Sequence, residues 1–145
     1  MNTAGWAHLT NFDTTYRQFE YGVKSEEYRK PELATDEEPE IGTLMVSEKN
    51  VKVPILAQKD PAKIPWGKYE VDVVIEATGK FTDQEGAKKH AIGGAKRVVI
   101  SAPAKGENVA TYIIGVNDPH SHKASEGQGK PYVISSSSCT TNCVA

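Results

Sequence analysis

The feature of the sequence that most constrains its fold is a strand–helix–strand pattern between residues 71 and 100. The first predicted strand is Val71-Asp72-Val73-Val74-Ile75-Glu76, a nearly continuous apolar run typical of parallel strands covered on both faces. Residues 85–92 are predicted to form a helix, and Arg97-Val98-Val99-Ile100 is predicted to be a second buried strand. This arrangement is a βαβ unit, and such right-handed units build doubly wound parallel sheets.

Local signals mark both ends of the predicted helix. Thr82 or Asp83 is expected to cap its N-terminus, because a side-chain oxygen there can accept from the free N–H groups of the first turn. Gly93-Gly94 is the predicted stop signal. Two further strands are predicted at residues 112–116 and 132–135. We therefore expect an α/β fold with four parallel strands in one sheet.

Small and hydroxyl-bearing residues follow three of these strands. They are Thr78-Gly79, Ser101-Ala102 and the serines at 135–138. Ligands of open parallel sheets bind beyond the carboxyl ends of the strands, so a nucleotide-like ligand can approach the backbone closely here. The pattern G-x-G-x-x-G of dinucleotide-binding turns does not occur in the sequence. Gly127-Gln128-Gly129 matches only part of it and is predicted to be a flexible loop.

The first 50 residues are more polar and predict other elements. Residues 4–11 are expected to form a short helix, and residues 43–46 and 51–56 a hairpin with a four-residue connection. Pro54 has no backbone N–H, so it should lie at a sheet edge or a bulge. The acidic segment 32–40 is either a solvated loop or a contact for a partner, and short charge runs favour the solvated loop.

Composition argues against several classes of function. Lys and Arg total 17 and Asp and Glu total 19, so a net charge of −2 gives no electrostatic basis for binding nucleic acid or an anionic membrane. No apolar run approaches the roughly 20 residues of a membrane helix, and the first residues do not resemble a secretory signal. The sequence has only two cysteines, which predicts a reducing, cytoplasmic location.

The segment Ser138-Cys139-Thr140-Thr141-Asn142-Cys143 has the clearest catalytic potential. We expect Cys139 to follow a strand and open a helix, where N–H groups and the helix dipole stabilise a thiolate, and Ser138 or Thr140 to cap that helix or donate to an oxyanion. The residues alone leave open a nucleophilic cysteine or a small buried apolar one. No metal site is predicted, because Cys139 and Cys143 supply only two ligands and no histidine has a matching spacing.

This segment resembles the active-site segment of phosphorylating glyceraldehyde-3-phosphate dehydrogenases. Other motifs follow in that family's order: Asp60-Pro61 with Ile64-Pro65-Trp66, the run 71–79, the stretch 94–106 with Ser101-Ala102-Pro103-Ala104-Lys105-Gly106, and Gly115-Val116-Asn117. The resemblance is strong over residues 51–145. It is weaker before them, where Ala7-His8-Leu9 and Phe12-Asp13-Thr14 are similar to the family.

The resemblance implies a reaction and assigns three residues to it. Cys139 resembles the nucleophile that attacks the aldehyde of glyceraldehyde 3-phosphate; hydride then passes to the cofactor, and inorganic phosphate releases the thioester as an acyl phosphate. Ser138 and Thr140 resemble residues that contact the phosphate of the substrate or the incoming phosphate. Erythrose-4-phosphate dehydrogenase has a similar cysteine segment, so erythrose 4-phosphate is the alternative substrate.

The resemblance also implies a cofactor, NAD or NADP, and a homotetrameric parent protein. Thr78, Gly79 and Ser101 resemble cofactor-contacting positions at strand ends, and Lys59 stands where many members have an arginine at the adenine side. The preference between NAD and NADP depends on residues around the ribose 2′ position, and those residues are not recognisable in this sequence.

Measured against that family, residues 1–145 are expected to be a partial dinucleotide-binding domain, with a Rossmann-type sheet truncated at both ends. The Gly-rich turn would precede the chain, and the substrate domain with its thiol-activating histidine would follow the cysteine segment. The isolated chain is therefore expected to have negligible dehydrogenase activity, and a truncated, non-catalytic copy is a further alternative. The family's common Ser-Asn-Ala-Ser-Cys is here Ser135-Ser136-Ser137-Ser138-Cys139. The residues before the cysteine remain small, which agrees with the predicted strand-to-helix turn.

Overall fold

The computed structural model describes residues 1–117 and 132–144. The chain divides into two compact units, Met1–Lys59 and Asp60–Ala145. Each unit has its own buried apolar cluster. The predicted loop at Gly127-Gln128-Gly129 lies outside the described residues.

The first unit combines a helix with antiparallel strands. Its elements are α1 (Thr3–Asn11), β1 (Phe12–Asp13), β2 (Arg17–Gln18), β3 (Val23–Glu27), β4 (Glu40–Val46) and β5 (Val51–Leu56). Strands β3, β4 and β5 form a sheet in that order, and β1 pairs with β2. The predicted helix and hairpin are confirmed, and Pro54 lies on the edge strand β5 as expected.

Side-chain hydrogen bonds fix both ends of α1. The Asn2 side chain accepts from the backbone N–H of Gly5 at 3.0 Å, and the Asn11 amide exchanges bonds of 2.7 and 2.8 Å with the backbone of Val23. Between them Ala7 packs against Val23 and Leu44. The acidic segment 32–40 is mostly exposed, and its Glu38 pairs with Arg29 at 2.6 Å, which agrees with a solvated loop.

The second unit contains the predicted parallel sheet. Its elements are β6 (Val73–Glu76), α2 (Gln84–Ile92), β7 (Arg97–Ile100), β8 (Ala110–Thr111), β9 (Val133–Ser135) and α3 (Cys139–Val144). The strands run parallel in the order β6-β7-β9-β8, which confirms the α/β, Rossmann-type fold class. Asp83 rather than Thr82 caps α2, by accepting from the Gly86 N–H at 2.8 Å, and Gly93 ends the helix.

The register of this sheet sorts its residues onto two faces. Val74, Val98 and Val133 are neighbours on the face where Ala87 of α2 joins the core. On the opposite face Val73 and Ile75 are 52% and 69% exposed. Within the described residues the first strand is therefore covered on one face only, where His90 of α2 contacts Glu76.

The third predicted strand is also misplaced. The strand β8 ends at Thr111, and residues 114–116 form a turn with Gly115 at φ +83°. The Asn117 side chain accepts from the Ile113 N–H at 2.5 Å and donates to the Thr111 carbonyl at 2.8 Å. These bonds close the segment into a turn, so its apolar residues lie outside the strand.

Candidate functional site

The carboxyl ends of β6, β7 and β9 meet at one edge of the parallel sheet. Glu76, Ile100 and Ser135 are in register, and each is the last residue of its strand. Thr78-Gly79, Ser101-Ala102 and the serines before Cys139 follow directly. The structure thus brings the predicted strand-end positions to the edge where ligands bind in open parallel sheets.

Thr78 and Gly79 form an exposed turn after β6. The Thr78 N–H donates to Glu76 Oε1 at 2.8 Å, and the Thr78 hydroxyl donates to the same oxygen. Gly79 has φ +73°, and a Cβ built on it would meet no atom within 4 Å. Glycine is needed here for its left-handed conformation, and the space beside it is open. An exposed hydroxyl beside an open backbone turn fits a nucleotide cofactor.

A chain of hydrogen bonds behind this turn was not predicted from the sequence. The Trp66 indole N–H donates to His90 Nδ1 at 3.1 Å, and His90 Nε2 lies 3.0 Å from Glu76 Oε2. The side chains of His90 and Glu76 are 5% and 2% exposed. We refer to Trp66, His90 and Glu76 as the relay. The available sequence signal was a glutamate ending a buried apolar strand, which requires a polar partner.

The relay holds Glu76 as a carboxylate. Burial opposes ionisation, but hydrogen bonds from Thr78 and His90 outweigh it and lower the pKa of the Glu76 carboxyl below its ordinary value. An indole N–H can only donate, so His90 Nδ1 is the acceptor and the ring proton is on Nε2, directed at Glu76. The end of β6 therefore carries a buried negative charge that is satisfied by donors.

Hydrogen bonds of the serines at the end of β9 connect this strand end to the segment after β7. Ser135 Oγ donates to the Ala102 carbonyl at 2.8 Å and accepts from the Ser137 N–H at 3.0 Å. Ser137 is buried with φ +70°, a left-handed conformation that is uncommon outside glycine. Ser101 is exposed, and its N–H donates to the Glu76 carbonyl at 3.0 Å. The loop before Cys139 is therefore tied to the loop after β7.

Cys139 is the first residue of α3 and is exposed. The sequence offered Ser138 or Thr140 as the cap of this short helix. Ser138 is the cap, because its Oγ accepts from the Thr141 N–H at 3.0 Å. The hydroxyls of Thr140 and Thr141 lie 3.0 and 2.7 Å from the same Oγ. Because its thiol is exposed, Cys139 is not the small buried apolar residue that the sequence left open as an alternative.

Cys143 lies one turn beyond Cys139 in α3, and it is also exposed. The helix α3 ends at Val144, one residue beyond it, and Val144 is exposed as well. Accessibility therefore does not distinguish the two thiols, and any difference in reactivity must come from their positions along the helix.

One sequence-based candidate, Lys59, belongs to the first unit. Lys59 is exposed and is the last residue of the first unit. A surface depression of about 330 Å³ in that unit contains none of the predicted site residues and is lined by Lys24, Met45, Val46, Ser47, Asn50, Val51 and Lys52. Within residues 1–117 and 132–144, no group of three or more His, Cys, Asp or Glu side chains is arranged to hold a metal ion. No described helix is long and apolar enough to cross a membrane.

Comparison with known proteins identifies the family. The family model for the NAD-binding domain of glyceraldehyde 3-phosphate dehydrogenase matches residues 1–84, more than half of the chain. The chain belongs to the glyceraldehyde 3-phosphate dehydrogenase family. The family resemblance is thereby confirmed, and the match extends through the first 50 residues, where the motifs indicated it only weakly. The expectation of NAD or NADP as cofactor agrees with this NAD-binding domain.

Curated relatives match nearly the whole chain but only part of their own length. The glyceraldehyde-3-phosphate dehydrogenase A, chloroplastic, of Scenedesmus vacuolatus is 42% identical over 139 residues. The glyceraldehyde-3-phosphate dehydrogenases of Mycoplasma pneumoniae and Streptomyces coelicolor are 42% and 43% identical over 137 and 148 residues. These alignments cover 94–99% of this chain and 36–38% of the relatives. The chain thus spans little more than a third of these dehydrogenases.

Proposed function

We propose that this chain supplies the catalytic cysteine and part of the cofactor site of an NAD(P)-dependent, phosphorylating glyceraldehyde-3-phosphate dehydrogenase. The position of Cys139 carries the proposal: it is exposed at the start of α3, beyond the strand edge where Thr78 and Ser101 lie. In this proposal residues 1–145 are part of a dinucleotide-binding domain that reaches the cysteine segment. Membership of the family supports it.

Cys139 acts as the nucleophile. Its thiolate attacks the aldehyde carbon of glyceraldehyde 3-phosphate and forms a hemithioacetal. NAD or NADP, when bound, supplies the hydride acceptor that the oxidation to a thioester requires. Inorganic phosphate then attacks the thioester, the carbon–sulfur bond breaks, and the Cys139 thiolate is regenerated with an acyl phosphate as product.

Ser138 and Thr140 contact phosphate oxygens of the substrate or of the attacking phosphate. Three hydroxyls converge at the start of α3, because Thr140 and Thr141 lie within 3.0 Å of Ser138 Oγ. A hydroxyl can rotate its proton toward an anion, and the first turn of a helix favours negative charge. This cluster, next to the thiol, suits a phosphorylated aldehyde better than a neutral one.

The cofactor contacts Thr78, Gly79 and Ser101 at the strand edge, and Lys59 contacts its adenine side. The two strand-end segments are exposed and adjacent, since the Ser101 N–H donates to the carbonyl of Glu76. We further propose a cytoplasmic homotetramer as the working assembly, with glyceraldehyde 3-phosphate and inorganic phosphate as its small-molecule partners and no role for nucleic acid or membranes.

The test is expression of the coding region in its genomic frame, with any sequence that continues it on either side. NADH or NADPH formation from glyceraldehyde 3-phosphate should require inorganic phosphate and should be abolished by Cys139→Ser but retained by Cys143→Ser. Erythrose 4-phosphate serves as the competing substrate. Preference for it would reassign the substrate, and full activity of Cys139→Ser would refute the proposed nucleophile.

A further inference from the structure

The relay contacts the Thr78 hydroxyl at the carboxyl edge of the parallel sheet. Glu76 Oε2 accepts from His90, whose other ring nitrogen is occupied by the Trp66 N–H. Glu76 Oε1 accepts from both the N–H and the hydroxyl of Thr78. The donor and the acceptor of each of these hydrogen bonds are therefore fixed, and the Thr78 hydroxyl donates its proton inward to the Glu76 carboxylate.

The outward side of Thr78 consequently offers only lone pairs. One of them accepts from the Lys80 N–H at 3.2 Å, and Thr78 is exposed, so the other faces the ligand side of the turn. A phosphate oxygen has no proton to give and would also meet the negative charge of Glu76 behind the hydroxyl. A ligand hydroxyl or amide N–H can donate to this oxygen.

We propose that Trp66, His90 and Glu76 position the Thr78 hydroxyl as an acceptor, so that the cofactor group bound there is a hydrogen-bond donor and not its pyrophosphate. This proposal rests on the proposed function, since it takes Thr78 to be a cofactor contact. His90 and Trp66 are positioning residues because they act through Glu76 and lie behind the turn.

The first experiment reads the relay directly, without cofactor. Long-range ¹H–¹⁵N NMR spectra of the 145-residue chain report which nitrogen of a histidine carries the proton, and His90→Gln assigns the His90 signals. We expect a neutral ring protonated on Nε2 at neutral pH. A ring protonated on Nδ1, or on both nitrogens, would overturn the relay whatever the ligand-binding result.

The second experiment titrates the same chain with NAD⁺ by calorimetry. Thr78→Val should weaken binding about 2- to 10-fold, the range of one hydrogen bond. His90→Leu should weaken it similarly, and the double variant should bind no worse than Thr78→Val. His90→Gln, which can accept from Trp66 and donate to Glu76, should bind within about 2-fold of the wild type, and exposed Glu107→Gln is the matched control.

The outcomes separate the two proposals. Absence of NAD⁺ binding by the folded wild-type chain would count against its proposed cofactor role, and with it the assignment of a ligand donor. Binding that is unaffected by Thr78→Val, or additive losses in the double variant, would overturn the positioning role alone. Inorganic pyrophosphate is the probe for the donor assignment: Thr78→Val should leave its binding unchanged, and weaker binding would contradict the assignment.

Discussion

His90 Nε2 lies 3.0 Å from Glu76 Oε2, and both side chains are almost completely buried. His90 belongs to α2 and Glu76 ends β6, so this contact joins a helix face to the turn at Thr78. Because the Trp66 N–H occupies the other ring nitrogen, the histidine is a neutral donor. Around the buried Glu76 carboxylate, fixed protein donors thus take the place of water.

Glu76→Gln should destabilise the second unit. The glutamine Oε1 can still accept from Thr78, but its NH₂ group then faces the Nε2–H of His90. Moving the ring proton to Nδ1 only transfers the conflict to the Trp66 N–H. One buried donor lacks an acceptor in either case, which costs about 1–3 kcal/mol of unfolding free energy. Urea unfolding followed by circular dichroism measures the loss.

Two comparisons make this result specific. Glu107→Gln makes the same change at an exposed position and should alter the unfolding free energy by less than about 0.5 kcal/mol. Trp66→Phe removes the competing indole donor, so Glu76→Gln should cost less in that background than alone. Equal costs in the two backgrounds would show that the three side chains are not coupled.

The stability of the chain should depend on pH through Glu76. Burial opposes ionisation, but the bonds from Thr78 and His90 lower its folded-state pKa below the ordinary 4.5. Between the two values the unfolded chain binds a proton that the folded chain does not. The stabilisation is therefore complete above about pH 4.5 and is lost as the pH falls through the folded value.

Unfolding free energies between about pH 3 and pH 5 test this dependence. The wild type should gain stability over this range more steeply than Glu76→Gln. Asp13 and Asp83, whose pKa values backbone hydrogen bonds also lower, contribute with the same sign in both proteins. Parallel curves for the two proteins would contradict the role of Glu76.

Limiting iodoacetamide should label Cys139 faster than Cys143. Both thiols are exposed, but Cys139 opens α3, where free N–H groups favour an anion, whereas Cys143 lies in its last turn beside free carbonyls. We expect a rate ratio of about 2- to 5-fold, from the usual size of helix-end effects. Peptide mapping by mass spectrometry measures it, with each Cys→Ser variant as control, and faster labelling of Cys143 would defeat the assignment.

Gly79→Ala should destabilise the chain by about 1 kcal/mol, although the added methyl group meets no other atom. The cost comes from φ +73° alone, so Gly79→Asn should recover part of it, because asparagine tolerates this conformation. Gly67→Ala is the control in the same unit: its Cβ would make only ordinary contacts, and its φ is not positive. Thermal unfolding of the three variants tests the ranking.

The elements predicted correctly are those whose ends are marked by residues close to them in the sequence. Asp83 and Gly93 lie at the two ends of α2, and each satisfies backbone groups of its own helix. The hairpin of β4 and β5 was likewise evident from two β-branched runs around a polar connection. Cys139 was placed correctly at a helix start because a strand and small residues precede it. In each case the determining interactions are local in sequence.

The misses have two causes: contacts between distant segments, and a local side-chain interaction that the hydropathy pattern does not show. His90 and Glu76 are 14 residues apart, and they meet only because α2 packs on the face of β6 that carries Glu76. The strand predicted at 112–116 is instead a turn that bonds from the Asn117 side chain close. The exposure of Val73 and Ile75 likewise depends on which elements pack against that face of the sheet. A hydropathy pattern does not contain that information.

Pro54 on the edge strand β5 also bears on how this chain behaves at high concentration. A strand edge can accept a strand from another molecule, and such additions seed aggregates. Proline has no N–H to donate and is a residue that edge strands carry against pairing with a further strand. With Pro54 in its middle, β5 is a poorer template for self-association than the same strand without proline.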